Sequence, residues 1–135
     1  MWEDKTMTDR ELINIAREAM VNAYVPYSRF PVGAALECED GTVITGSTVE
    51  NAALGASICA ERAAICNASS KGYRKFRKIA IAANSKNYYY PCGECRQVLN
   101  EFAPNLEVLS VRVDGRYVSY KLADLFPQPY TNELA

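Results

Sequence analysis

The chain has 135 residues, 49% of them hydrophobic and 23% charged, proportions that suit a single soluble domain (1–135) with a real core. Its 15 basic and 16 acidic side chains give a formal net charge of −1, so it lacks the positive excess on which nucleic-acid binding draws. No apolar run approaches the roughly 18 residues of a membrane-spanning helix, and the first residues lack the apolar core of a secretion signal, so no membrane partner and a cytoplasmic location are expected.

The first predicted element is a helix. Thr8-Asp9-Arg10-Glu11 has the form of a capping box, and Leu12, Ile15, Ala16, Ala19, Met20 and Ala23 then recur on one helical face. Pro26 disfavours helical geometry just before it, which places the end near Tyr24. Val32 to Leu36 and Thr42 to Thr45 follow as short strands around Glu39-Asp40-Gly41, a hairpin signal. Beyond a loop through Glu50 to Ser57, the alanine-rich Cys59 to Ser69 has helical character. The basic stretch Lys71 to Lys78 reads as a solvated helix end and strand entry. Lys78 to Ala83 is apolar and suits a buried strand, and a loop with Tyr88, Tyr89 and Tyr90 leads on to a helix from about Cys92 to Phe102. Val108 to Val113 and Arg116 to Tyr120 are the last strands, turning at Asp114-Gly115. Helices thus alternate with strands, which points to an α/β fold around a mixed sheet.

The absence of histidine narrows the chemistry. No Ser-His-Asp or Cys-His pair can operate, so a zinc site must use thiolates or carboxylates, and any general acid or base must be Glu, Asp, Lys, Tyr or Cys. In a reducing compartment the five cysteines favour metal binding or catalysis over disulfides. Cys92 and Cys95 have the spacing that lets two thiolates share one zinc ion, and Cys59 stands at another helix start. Unpaired N–H groups and the helix dipole at such positions favour thiolate over thiol. A redox pair, or a structural zinc with a fourth ligand, also fits the spacing. Cys66 is a poor fourth ligand, because seven helical residues separate it from Cys59 by roughly 10 Å along the axis. Cys38 stays open as one.

Glu61 favours catalysis. Two residues after Cys59, it is placed to face a zinc-bound water, whose pKa zinc lowers toward about 7. Such a carboxylate can take the water's proton and return it to a leaving amine, as in zinc deaminases as a class. Three thiolates and a hydroxide overcharge a divalent ion, and Arg62 is positioned to offset part of the excess by charge-assisted hydrogen bonds to sulfur.

At these residues the chain resembles the small homotetrameric cytidine deaminases. The likeness runs nearly the whole length. It includes Pro26-Tyr27-Ser28-Arg29-Phe30-Pro31-Val32-Gly33-Ala34-Ala35-Leu36, Val49-Glu50-Asn51-Ala52, Cys59-Ala60-Glu61-Arg62 and Pro91-Cys92-Gly93-Glu94-Cys95-Arg96-Gln97-Val98-Leu99. It implies a three-layer α/β/α fold with a five-stranded mixed sheet. It implies one zinc ion per subunit on Cys59, Cys92 and Cys95, hydroxide attack at the ring carbon bearing the amino group, and Glu61 as proton shuttle. The reaction so implied converts cytidine or deoxycytidine to uridine or deoxyuridine, a step of pyrimidine salvage. Phe30 would lie beside the pyrimidine, Glu50 on the ribose hydroxyls, Thr48 and Ala60 among the substrate contacts, and Tyr130 at a neighbouring subunit's site.

Three positions depart from the family pattern. Thr48 stands where Asn is usual, Leu54 where Tyr is frequent, and Tyr130 where Phe is common. Thr48 donates one hydrogen bond but lacks the two-ended amide, and Leu54 makes no polar contact. They leave a second reading open, a different or modified aminopyrimidine nucleoside as substrate. A third, from another class, is a non-catalytic zinc-stabilised binding module with Cys38 as the candidate fourth ligand.

Overall fold

The structure is a computed structural model and describes residues 7–132. Helix α1 (Asp9–Ala19) begins as a capping box: the Thr8 hydroxyl accepts the Glu11 N–H at 3.1 Å, and the Glu11 carboxylate accepts the Thr8 N–H at 3.3 Å. It ends sooner than the proline implied, tightening into a 3₁₀ turn over Met20–Asn22. The reason is tertiary. The Tyr24 N–H donates to the Thr48 carbonyl and the Glu50 N–H to the Tyr24 carbonyl, both at 2.8 Å, so this segment leaves the helix to join a neighbouring loop. Ile13, outside the expected apolar stripe, is fully buried because α1 lies across a broad sheet.

Five strands form one sheet in the order β2-β1-β3-β4-β5: β1 (Val32–Cys38), β2 (Val43–Ser47), β3 (Phe76–Ala83), β4 (Glu107–Val111) and β5 (Tyr117–Lys121). Only β3 and β4 run parallel, so the sheet is mixed. A parallel pair needs a crossover, which α3 (Gly93–Phe102) supplies. The antiparallel pairs β1–β2 and β4–β5 turn through Gly41 and Gly115, at φ of 91° and 87°, at the two Asp-Gly signals.

The helices make the outer layers. α1 covers a face lined by Ala35, Ala80, Ala82, Leu109 and Val111. Helix α2 (Ala60–Ser70) and α3 cover the other, lined by Leu36, Ile79, Ile81 and Val108. Two glycines set how closely the layers approach. A β-carbon on Gly33 would overlap the Ala16 carbonyl oxygen of α1, and one on Gly46 would overlap the Ala60 oxygen and Ala64 nitrogen of α2. Gly46 thereby fixes the first turn of α2 against β2. The short α4 (Leu122–Leu125), not anticipated from the sequence, is too brief to show a helical period. No helix among the described residues is long and apolar enough to cross a membrane.

This topology gathers distant segments at one end of the sheet. Val32, at the start of β1, pairs with Ala83, at the end of β3. Phe30 just before β1, the loop after β3, and the N-termini of α2 and α3 therefore meet at the carboxyl end of β3, the usual place for a site in an α/β sheet.

Candidate active site

Cys59 is the N-cap of α2 and Cys92 the N-cap of α3, while Cys95 sits in the first turn of α3. Both helices thus point their unpaired N–H groups and positive dipole ends at the thiols. The Cys95 N–H donates to the Cys92 sulfur at 3.4 Å, which fixes the relative placement of that pair. The sulfurs of Cys59, Cys92 and Cys95 all lie within 4.8 Å of one another. In a tetrahedral site with zinc–sulfur bonds of about 2.3 Å, ligand sulfurs stand roughly 3.8 Å apart, so the cluster needs little adjustment to hold zinc. The soft donor set and the lack of histidine point to the same metal.

The electrostatics are those of thiols sharing charge. Hydrogen bonding from Cys95, then from Cys92, together with the Arg62 charge, draws Cys59 down to about 6, whereas the Cys95 thiol is pushed far up because it donates to Cys59. A metal must displace the remaining protons. Arg62 acts across space: its guanidinium donates to the Ser57 carbonyl at 3.0 Å and pairs with Glu94 at 3.1 Å rather than bonding a sulfur.

Glu61, in the first turn of α2, is fully buried, and neither carboxylate oxygen has a hydrogen-bond partner among the described residues. Burial pushes its carboxyl up to about 7. An unpaired buried carboxylate is expensive unless a ligand completes it, and a pKa near neutrality suits a group that both takes and returns a proton. Cys38 is not part of this cluster. It ends β1, six residues from Val32 and so roughly 20 Å along the strand from the site. Burial pushes its thiol up to about 11. Cys66 is exposed on α2, also outside the cluster.

Of the remaining candidates, Glu50, Thr48 and Tyr130 lie on loops, Leu54 in a 3₁₀ turn and Ala60 in α2. Glu50 accepts the Tyr27 and Ser28 N–H groups on one oxygen, at 3.0 and 3.1 Å, clamping the turn that leads to Phe30. Hydrogen bonding from Ser28 holds its carboxyl below the usual range, so it is ionised at neutral pH. The Thr48 hydroxyl donates to the Val32 carbonyl at 3.3 Å, which commits its one proton to the fold. Ala60 is buried at the start of α2, and Leu54 is 77% exposed. Tyr130 is 73% exposed, while its carbonyl accepts from Gln97 at 3.0 Å. Sequence reasoning missed two anchors. Arg96 donates to the Pro91 carbonyl at 2.7 Å and the Leu125 carbonyl at 2.6 Å, tying the Cys92 approach to the C-terminal segment, and Gln97 places the backbone at Tyr130. No spacing in the chain signals such side-chain-to-backbone ties.

The three successive tyrosines diverge. Tyr88 lies under the Arg112 guanidinium, 5.4 Å from ring centre to charge, and the Tyr90 hydroxyl bonds that of Tyr120 at 3.0 Å. Tyr89 instead packs beside Phe30, ring centres 5.8 Å apart.

Comparison with known proteins agrees with this arrangement. Residues 6–110 match the family model of the cytidine and deoxycytidylate deaminase zinc-binding region. A cytidine deaminase of Halalkalibacterium halodurans is 44% identical over 127 residues, covering 93% of this chain and 96% of that protein. One from Sporosarcina psychrophila is 41% identical over 128 residues, covering 94% of each. The crystal structure of cytidine deaminase from Burkholderia pseudomallei superposes with a TM-score of 0.90 at 42% identity, over 92% of this chain and 100% of that one. With a family match across most of its length and a three-thiol cluster able to hold zinc, the chain belongs to the cytidine and deoxycytidylate deaminase family of zinc-dependent hydrolases.

Proposed function

We propose that the protein deaminates cytidine and deoxycytidine, yielding uridine or deoxyuridine and ammonia. The observation that carries this reading is the buried, unpartnered Glu61 carboxylate beside the three-thiol cluster. Zinc held by Cys59, Cys92 and Cys95 would supply Lewis-acid activation of water near neutral pH. The rest is the work of side chains. Glu61 accepts a proton from the attacking water and delivers it to the ring nitrogen. It then takes the second proton, from the new hydroxyl on that carbon, and delivers it to the departing amine as the C–N bond breaks, the carbonyl forms and ammonia leaves. Arg62 offsets the negative charge gathered at the thiolates. Phe30 flanks the pyrimidine, the buried Ala60 lines the site at the start of α2, and the second oxygen of Glu50 takes the sugar hydroxyls while its first holds the loop.

The same reading makes the chain one catalytic domain, working in the cytoplasm in pyrimidine salvage as a homotetramer in which Tyr130 reaches a neighbouring copy's site. Its support is the outward Tyr130 ring and the exposed apolar side chains Val21, Tyr24, Tyr27, Val49 and Leu54, which an assembly would cover. Mass measured under native conditions tests the tetramer. Deamination is followed by ultraviolet absorbance on zinc-loaded protein given a panel of aminopyrimidine nucleosides. Turnover of cytidine is expected, and its absence refutes the assignment.

A second reading, a different or modified aminopyrimidine nucleoside, is favoured by one detail. The Thr48 proton is spent on the Val32 carbonyl, so that side chain cannot donate to a sugar without breaking its own bond. Cytidine strongly preferred across the panel would dispose of it.

A further inference from the structure

We infer that Tyr89 is a substrate-contacting residue of this site, forming with Phe30 an aromatic corner that receives the pyrimidine ring. The inference rests on the deaminase reading above and deepens it. Tyr89 belongs to the loop that runs from the end of β3 into Cys92, so its backbone is carried by the same segment as a zinc ligand. Its neighbours are held elsewhere. Tyr88 is stacked under Arg112 and Tyr90 is bonded and packed edge-on to Tyr120 at 5.4 Å between ring centres. With both flanking side chains pinned toward the β4–β5 side, the residue between them is turned inward.

There its ring meets Phe30 at 5.8 Å with the planes tilted by 44°, an arrangement that leaves an angled aromatic recess rather than a closed stack. Both rings rest on the core beneath α2 and α3, which makes the corner rigid. Among the described residues no hydrogen bond engages the Tyr89 hydroxyl, whereas Tyr73, Tyr90 and Tyr117 all use theirs within the fold. Burial, then the charges of Glu61, Cys59, Cys92 and Cys95, push the Tyr89 phenol well above its ordinary range. It therefore stays an O–H donor at any working pH and cannot act as a base. A half-buried phenol with a free donor, set beside Phe30 on the loop that runs into Cys92, is built to bind a polar aromatic ring.

The experiment compares zinc-loaded wild type, Tyr89→Leu and Tyr89→Phe for cytidine turnover and for competitive inhibition by uridine, with zinc content measured in each. Leucine keeps apolar volume in the corner but removes the π-face and the donor. KM and the uridine inhibition constant should both rise on the order of tenfold, with kcat much less affected. Tyr89→Phe keeps the ring and should weaken both by roughly two- to tenfold, the scale of one hydrogen bond. A merely structural role would instead lower zinc content and kcat and leave KM and inhibition alone. That pattern, or constants unchanged within about twofold in both variants, overturns the inference while the deaminase reading stands. Wild-type protein inert toward cytidine removes the reading itself, and the inference falls with it.

Discussion

The site has two sides built in different ways. On the metal side every candidate comes from the start of a helix: Cys59 and Cys92 are N-caps, and Glu61 and Cys95 are buried just inside. Helical hydrogen bonding and the Gly46 contact leave those residues little freedom. On the recognition side the candidates other than Ala60 sit outside the long helices and the sheet. That region is held by a few ties such as Tyr24 to Thr48, the paired bonds of Val49 with Ile58, and the Glu50 carboxylate on the Tyr27 and Ser28 N–H groups. Leu54 and Tyr130 are largely exposed there. Under the proposed function the contrast separates reaction from specificity: regular elements hold the atoms that must be placed to a fraction of an ångström, and loops hold most of the candidates for choosing the substrate.

The largest effect should come from the metal side. Cys95→Ser replaces a buried ligand thiolate, and zinc content measured by mass spectrometry should fall toward zero, taking deaminase activity with it. Retained zinc would mean that the cluster is not the metal site. Zinc binding at pH 7 should also release protons, since the Cys95 thiol, pushed up by its bond to Cys59, holds its own, and affinity should therefore rise with pH. Calorimetry in two buffers of different ionisation heat measures that release.

Glu61 provides the next effect, in metal-free protein. Its folded pKa of about 7 lies above its ordinary 4.5, so the folded state holds the proton more tightly than the unfolded one between those values. Stability is then full below about pH 4.5 and falls as pH rises through 7, by on the order of 3 kcal/mol. Metal-free Glu61→Gln should gain that amount over wild type at pH 8 and lose the advantage near pH 4. Equal denaturation midpoints at pH 8 would show that Glu61 is not buried as charged.

On the recognition side the effects should be smaller and fall on binding. Phe30→Ala should raise KM for cytidine about tenfold with modest change in kcat. A loss confined to kcat would blur the division between the two sides. Smallest of all is Glu94→Ala. The Arg62–Glu94 pair joins α2 to α3, yet Glu94 is 75% exposed, so zinc release to a chelator should speed up by less than about fivefold. A much larger change would make the pair a principal clasp of the metal side.

The same division governs what the sequence disclosed. Helix starts leave a local signature, so the placement of Cys59, Glu61, Cys92 and Cys95 at two helix N-termini was legible, and the missing histidine narrowed the chemistry. The mixed sheet followed from alternating elements and two Asp-Gly turns. Loop directions leave no such mark. Nothing in three consecutive tyrosines tells which one points inward, because Arg112 and Tyr120, far along the chain, decide it. The end of α1 was misplaced for a similar reason: Pro26 is visible, but the pairing of Tyr24 with Val49 that draws the chain away is not. Glu50 was legible as a polar loop residue, while its clamp on Tyr27 and Ser28 required the fold.

The central claim is that a carboxylate held buried and unpaired beside the zinc thiolates moves the proton in deamination. It is tested most directly by Glu61→Gln, assayed on cytidine with zinc content matched to wild type. Glutamine keeps the shape and cannot accept the proton, so kcat should fall by roughly 10² to 10⁴ with zinc retained. Full activity at normal zinc content would contradict the claim.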